Sequence, residues 1–375
     1  MHTPTLLLLG GYGNTGRALA RHLLAETEAR LVIAGRSRER AEQAAAAWIT
    51  RYPGRVHGLA ADAADRASLG RAFEGADLVA VVSSTSLHTE TIAAAALEHG
   101  LDWIDAQYSP GKLAALQALA PRLEAAGRCF LTDGGFHPGL PALLVRAAAQ
   151  RLDTLASAHV GSVIQIDWAG LQLSPETLDE FVGEFLDYRA LHYRDGRWRK
   201  AGWLQMLFPR WMTFGHGFGR RYGVPMFLEE LRPLPEQLPG LEQVGFYVGG
   251  FNWVVDWALM PLAVLMARSG SRAGLRRAAR LMHWGLRRFS RPPFGTLLKL
   301  EATGTRDSAP GRLEISVYHP DGYELTAIPM AACLLQWLDG SIRRPGLWFQ
   351  ALAADPVRLL ADMQCMGVHV EILAR

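Results

Sequence analysis

Short apolar runs alternate with longer amphipathic stretches from residue 1 to about residue 150. The pattern predicts strands at Thr5–Leu9, Arg30–Gly35, Val56–Ala60, Asp77–Val82, Asp102–Asp105 and Arg128–Thr132. Between them it predicts helices at Asn14–Leu24, Ser37–Arg51, Arg66–Phe73, Leu87–His99 and Lys112–Ala126. Strands that alternate with helices imply a parallel, doubly wound sheet covered on both faces, an α/β fold.

The second half has a different texture. Strand-like runs fall at Ala158–Asp167, Val244–Val248, Thr296–Ala302 and Arg312–Tyr318, and helical runs at Pro175–Ala190, Trp253–Arg268, Arg272–Phe289 and Ile328–Trp337. This is an α+β pattern. The Pro-rich stretch Arg232–Gly240 reads as a connection between two strands. With 375 residues, two domains are expected. The division drawn from the pattern is 1–145 for the first, 146–340 for a substrate or dimerisation domain, and 341–375 for a segment packing back on the first. Most tryptophans lie beyond residue 160, which suits a domain that holds a substrate or a homodimer partner, or simply a large core.

Gly11-Tyr12-Gly13-Asn14-Thr15-Gly16 fits G-x-G-x-x-G between the first strand and the first helix. Gly11 suits a tight turn, Gly13 a close backbone approach to a pyrophosphate, and Gly16 close helix–strand packing. The first-turn amides would face the anion, and Thr15 could add a hydroxyl donor. The position after the second strand, where an acid would select NAD, carries Arg36 and Ser37 instead. A guanidinium and a hydroxyl suit a 2′-phosphate, so NADP (NADPH) is the expected cofactor. One such charge-assisted bond contributes roughly 1.5–3 kcal/mol. Asp62, after the third strand, is placed either for an adenine amine or as a turn acid. Ser84 and Thr85, after the fourth strand, are expected on the nicotinamide side, where strand order reverses; a helix cap at Ser86 is the competing reading for part of that run.

Four stretches together resemble the saccharopine dehydrogenase family: GGYGNTG at Gly10–Gly16, AGRS at Ala34–Ser37, DAQYSP at Asp105–Pro110 and DGGFHPGL at Asp133–Leu140. The resemblance covers about 1–145. It implies a Rossmann domain, an inserted α+β domain and C-terminal elements returning to the first. In the family's turn an Asp stands where this chain has His137, which leaves the role of that acid without a carrier. Residues 150–310 show no substrate motif of the family, so saccharopine itself is not supported.

Tyr108 and His137 lie just past the fifth and sixth strands, at the edge where such sheets build sites. His137 could serve as a proton donor near neutral pH, or shape the turn before Pro138. Tyr108 could donate a hydrogen bond to substrate, or pack. Asp105 and Asp133 could orient loops or cap helices, and Lys112 reads as a solvated lysine at a helix start. His192, Tyr193, His216 and Asn252 are further candidates that nothing in their spacing ranks. No HExxH, no Gly-x-Ser-x-Gly and no Cys/His cluster is present, so no metal is expected.

The formal charge is +3, too small to indicate nucleic acid, and all basic residues but Lys112, Lys200 and Lys299 are arginines. Three scattered cysteines form no disulfide framework and fit a reducing cytoplasm. The best apolar run, Trp257–Ala267, is too short to span a bilayer, and no signal peptide is visible. Residues 268–291 hold eight arginines and no acid. Leu275, Ala279, Met282, Leu286 and Phe289 share one helical face, and Arg272, Arg276, Arg280, His283 and Arg287 share another. Such a helix can touch an anionic membrane surface weakly, or pack on a core with its arginines in water. Three functions remain in view: an NADP-dependent oxidoreductase of a small molecule, acting at a C–N, C–O or activated C=C bond; a peripheral membrane reductase of lipid-like substrates; and a non-catalytic NADP-binding regulator.

Overall fold

The computed structural model describes residues 3–168, 189–202, 209–267 and 271–375. The chain divides into two compact units. The first joins Met1–Leu140 to Tyr323–Met366, and the second joins Pro141–Gly322 to Gly367–Arg375.

The first unit is a parallel sheet of β1 (Thr5–Leu9), β2 (Arg30–Gly35), β3 (Val56–Ala60), β4 (Leu78–Val81), β5 (Asp102–Asp105), β6 (Cys129–Thr132) and β15 (Gly346–Phe349). Their order is β15-β6-β5-β4-β1-β2-β3. The helices joining them are α1 (Asn14–Glu26), α2 (Arg38–Ile49), α3 (Arg66–Phe73), α4 (Thr89–Glu98) and α5 (Pro110–Ala125). Leu6, Leu7 and Leu8 are all wholly buried, which explains an apolar run without alternation: both faces of the strand are covered. Helix starts follow the local chemistry. Ser37, Asp65 and Ser109 cap α2, α3 and α5 with side-chain oxygens, and Pro110 opens α5.

One edge strand of the sheet, β15, comes from the C-terminal part of the chain and pairs with β6. Helix α9 (Gly322–Leu338) belongs to the same unit. The buried carboxylate of Asp102 fastens this segment to the sheet. It accepts the Trp337 indole N–H and the Arg343 guanidinium, each at 2.9 Å, and the Cys129 amide at 2.9 Å.

The second unit is a mixed sheet of β7 (Thr154–Gln165), β10 (Arg210–Phe214), β11 (Gly219–Met226), β12 (Gln243–Gly249), β13 (Gly295–Arg306), β14 (Ala309–His319) and β16 (His369–Ala374). Its order is β10-β11-β12-β7-β13-β14-β16, with β8 (Leu191–Arg194) on β12 and β9 (Arg197–Lys200) on β8. The β7–β12 pair is parallel and its other pairs are antiparallel. Strands β13 and β14 run longer than the apolar pattern predicts, because Asp307 and Ser308, at φ 51° and 63°, close a tight hairpin.

Helices α6 (Pro141–Ala149), α7 (Met260–Ala267) and α8 (Arg272–Phe289) complete what is described of this unit. A five-residue π-helical turn, Val255–Leu259, leads into α7. The helix expected over Pro175–Ala190 falls almost wholly outside the described residues. Helix α8 is amphipathic as expected: Ala279, Met282 and Leu286 are buried, and Arg276, Arg280 and Arg287 are exposed.

Candidate functional site

Sheet order reverses between β1 and β4, which opens a crevice at their carboxyl ends. The glycine loop occupies it. The left-handed residue of this turn is Gly10, at φ 94°, rather than Gly11. Gly10 also lies against the loop after β4, where an added Cβ would stand 2.6 Å from the Ser83 Cβ. Gly11 is held by packing instead, since its Cβ would come within 2.9 Å of the Leu8 carbonyl. At Gly16 a Cβ would sit 2.4 Å from the Gly10 oxygen, as close helix–strand packing requires.

Gly13 differs from all of these. It has an ordinary extended backbone, at φ −73° and ψ 173°, and an added Cβ would meet only the Gly10 oxygen, at 3.2 Å. The protein's own packing asks little of a glycine there, so the open space suits a ligand. No side chain caps α1 and its first turn holds no acid, unlike the capped starts of α2, α3 and α5. The Asn14, Thr15 and Gly16 amides in that turn have no intrahelical partner. They fit the pyrophosphate of a dinucleotide.

Tyr12 folds over the end of β2. Its ring covers Gly35, where a Cβ would stand 2.5 Å from Cε1, and its hydroxyl accepts a long 3.4 Å bond from the Ser37 amide. The Arg40 guanidinium stacks on the same ring at 4.5 Å. Ser37 Oγ caps α2 by accepting from the Arg40 amide at 3.3 Å, which leaves its O–H to donate elsewhere. Arg36 is exposed and forms no ion pair among the described residues, whereas Arg38 is held by Glu42 at 2.7 Å. Arg36 and Ser37 therefore fit a 2′-phosphate. Asp62 is exposed beyond β3, with Oδ1 accepting the Ala64 amide at 3.0 Å; this is the geometry of a turn acid.

After β4, Ser83 Oγ and Thr85 Oγ1 lie 3.1 Å apart, and Ser84 is exposed. Thr85 stands before a short 3-10 turn, Ser86–His88, and caps it with no side-chain bond. The Gln107 side-chain amide donates to the Ser83 carbonyl and, at 3.3 Å, to Thr85 Oγ1, tying the β5 loop to the β4 loop.

Tyr108 sits half-buried in the β5 loop. His137 sits half-buried in the turn after β6, against Phe136 with ring centroids 4.1 Å apart. The loops that follow β1, β4, β5 and β6 thus form a row along one sheet edge. Burial pushes the His137 imidazole down to about 4, so the ring is neutral at pH 7, with one protonated nitrogen and one that bears a lone pair.

Lys112 corrects the expectation of a solvated lysine. It is fully buried, with Nζ 2.7 Å from Asp105 Oδ1 and 2.6 Å from Asp133 Oδ1, and it also donates to the Gln107 carbonyl. Burial alone would pull the ammonium down; the two carboxylates outweigh it and hold Lys112 above its ordinary value. Asp105 further accepts Trp103 Nε1 and Thr132 Oγ1, each at 2.8 Å, and the Gln107 amide at 3.3 Å. The cluster pins the roots of both the Tyr108 and the His137 loops.

A second fastening is equally absent from the sequence pattern. Buried Gln350 donates to the Gly135 carbonyl at 3.2 Å and accepts the Gly135 amide at 3.4 Å. Gly135 and Gly139, at φ 105° and 126°, supply the left-handed turns that the Asp133–Leu140 stretch needs.

The remaining candidates, His192, Tyr193, His216 and Asn252, lie in the second unit. Tyr193 packs on Trp198 with centroids 5.6 Å apart, and His216 stacks on Tyr318 at 3.8 Å. Asn252 Oδ1 accepts the Val255 amide at 3.0 Å, and His192 lies on β8.

Comparison with known proteins bears on the fold and the cofactor. Residues 6–130 match the family model described as the saccharopine dehydrogenase NADP binding domain. No curated protein matches the chain. Among solved structures, saccharopine dehydrogenase (L-Glu forming) from Saccharomyces cerevisiae is 14% identical over 99% of this chain and 100% of its own, with a TM-score of 0.70. At that identity the likeness establishes the fold. A dehydrogenase from Chromobacterium violaceum (12% identity, 97% and 93% covered, TM-score 0.45) and a myo-inositol dehydrogenase from Corynebacterium glutamicum ATCC 13032 (13%, 99% and 99%, TM-score 0.44) are too distant to add to it. The first unit thus carries, over residues 6–130, a stretch that matches the saccharopine dehydrogenase NADP binding domain, and its cofactor is NADP(H).

Proposed function

We propose that the chain is an NADP(H)-dependent oxidoreductase of a small molecule, acting at a C–N, C–O or activated C=C bond. The observation that carries this is the row of loops along one sheet edge: an uncapped α1 start after β1, polar Ser83–Thr85 after β4, and Tyr108 and His137 after β5 and β6. The similar structure from Saccharomyces cerevisiae, a saccharopine dehydrogenase, favours the same class. When bound, the nicotinamide supplies or takes the hydride.

The chain's own residues would do the rest. Gly13 and the first-turn amides of α1 bind the diphosphate, and Arg36 and Ser37 bind the 2′-phosphate. Thr85 lines the nicotinamide side. Tyr108 donates a hydrogen bond to the reacting substrate. His137, neutral at pH 7, accepts a proton from the group being oxidised. The Lys112 cluster holds the last two in place. Three unpaired thiols are consistent with a cytoplasmic setting.

Fluorescence titration with NADPH and NADH, on wild type and Arg36→Ala, tests the cofactor part. The expected result is that Arg36→Ala weakens NADPH by about tenfold or more and leaves NADH little changed. Equal binding of both cofactors by wild type would overturn it. For the reaction, NADPH or NADP turnover is followed across amine, ketone and enoyl panels. Tight NADPH binding with no turnover of any member would favour a regulator.

A further inference from the structure

Helices α7 and α8 pack against each other through one face each. Val255, Ala263, Ala278, Ala279, Met282 and Leu286 are buried there together with Trp168. Gly285 lets the helices close up, since a Cβ on it would stand 2.2 Å from Leu259 Cδ1.

The outward face of the α7 segment has no such partner among the described residues. Trp257, Ala258, Pro261, Leu262 and Leu265 fall on one side of the helix and are all exposed, Leu265 to 69%; Trp253, just before, is exposed to 73%. No charged residue occurs from Trp257 to Ala267. Isolated exposed leucines are ordinary, but a contiguous apolar helix face is not.

Beside it lies a surface of one charge sign. Arg276, Arg277, Arg280, Arg287 and Arg288 on α8 are exposed, with Trp284 among them at 54%, and none forms an ion pair among the described residues. The acid that precedes α7, Asp256, is engaged within the fold. It accepts the Tyr222 hydroxyl at 2.5 Å and the Phe251 amide at 3.0 Å, and burial raises it above the usual carboxylate range.

We propose that the α7–α8 face docks on an anionic lipid surface, with the α7 side chains entering the headgroup boundary and the α8 arginines meeting lipid phosphates. Charge selects this occupant. A second copy of the chain would bring a second set of unneutralised arginines to the contact, whereas anionic headgroups neutralise them. Trp253, Trp257 and Trp284 suit the same boundary, where indoles keep an apolar body and a polar N–H both satisfied. No described helix is long and apolar enough to cross a membrane, so the contact is peripheral. This inference is independent of the hydride-transfer chemistry.

The test is co-sedimentation of the full chain with phosphatidylcholine vesicles, with and without phosphatidylglycerol, at low and high salt. Tryptophan emission is read alongside. Binding is expected only with phosphatidylglycerol, with a blue shift, and high salt or Arg276→Glu/Arg280→Glu should lower it by about tenfold or more. Trp253→Ser/Leu265→Ser should also lower it while NADPH affinity, the control for folding, stays at the wild-type value. Absence of binding at low salt overturns the proposal. So does binding that the charge reversal abolishes but the apolar variant leaves intact, which would be adsorption by charge alone. A self-associated chain that ignores vesicles and that Leu265→Ser makes monomeric would assign the face to a second copy.

Discussion

Two glycines three positions apart make opposite demands. At Gly16 a Cβ would strike the Gly10 carbonyl at 2.4 Å, and backbone cannot move aside cheaply. Gly16→Ala should therefore destabilise the first unit as well as abolish cofactor binding. Gly13 leaves 3.2 Å. Gly13→Ala should melt close to wild type yet bind NADPH at least about tenfold more weakly, because the methyl intrudes on the ligand's space. Paired thermal melts and titrations separate the two cases; equal loss of stability in both would refute the distinction. The motif alone marks both as glycine and does not say which serves the protein and which the ligand.

Lys112 makes the same point with charge. Removing its ammonium would leave Asp105 and Asp133 buried without a counter-charge, and breaking such a cluster costs about 3–5 kcal/mol. Lys112→Met is expected to lower first-unit stability by that amount in denaturant titrations. Its burial was illegible in sequence: a lysine at a helix start is normally solvated, and its two partners sit on separate strand ends that only the folded sheet brings together.

At the level of elements, the alternating part of the chain was read almost to the residue. The expected and observed bounds of β1, β2, β3, α3 and β5 coincide; a continuous apolar run marks β1 and β2, and the Asp65 cap marks the start of α3. β15 was not foreseen. Gly346–Phe349 is four residues long with no periodic signal, and it becomes a strand only because β6 offers an unpaired edge. The turn from Asp133 to Leu140 was recognised by its residues, but Gln350, which clamps it, lies far away in the chain. Gln350→Ala removes two buried hydrogen bonds to Gly135, and about 1–2 kcal/mol of stability is expected to go with them. In the same variant kcat should fall more than NADPH affinity, since the loosened turn carries His137 and not the glycine loop; unchanged kcat in a less stable protein would confine Gln350 to structure.

Over the whole molecule, two histidines set a pH response. Burial lowers His137 to about 4 and His159, in the second unit, to about 3. An unfolded histidine titrates near 6.5, so between there and the folded values the unfolded chain binds more protons than the native one. Stability therefore rises with pH through this window and is lost as pH falls from about 6.5 toward 4, by up to about 3 kcal/mol for His137 alone. Melting temperature should drop between pH 7 and pH 5. His137→Gln/His159→Gln should flatten that slope, and an unchanged slope would show that other groups carry it.

The strand order of the first sheet has a consequence for how the protein is made. β6 emerges from the ribosome long before β15, with the second unit's sequence between them. Throughout that interval the growing sheet carries an open edge and lacks the α9 layer that Asp102 later anchors. An unpaired parallel edge on a nascent chain invites wrong pairing. Release of a native first unit must wait for synthesis to pass Met366, and a stalled or clipped product ending before Gly346 would be a substrate for chaperones and proteases.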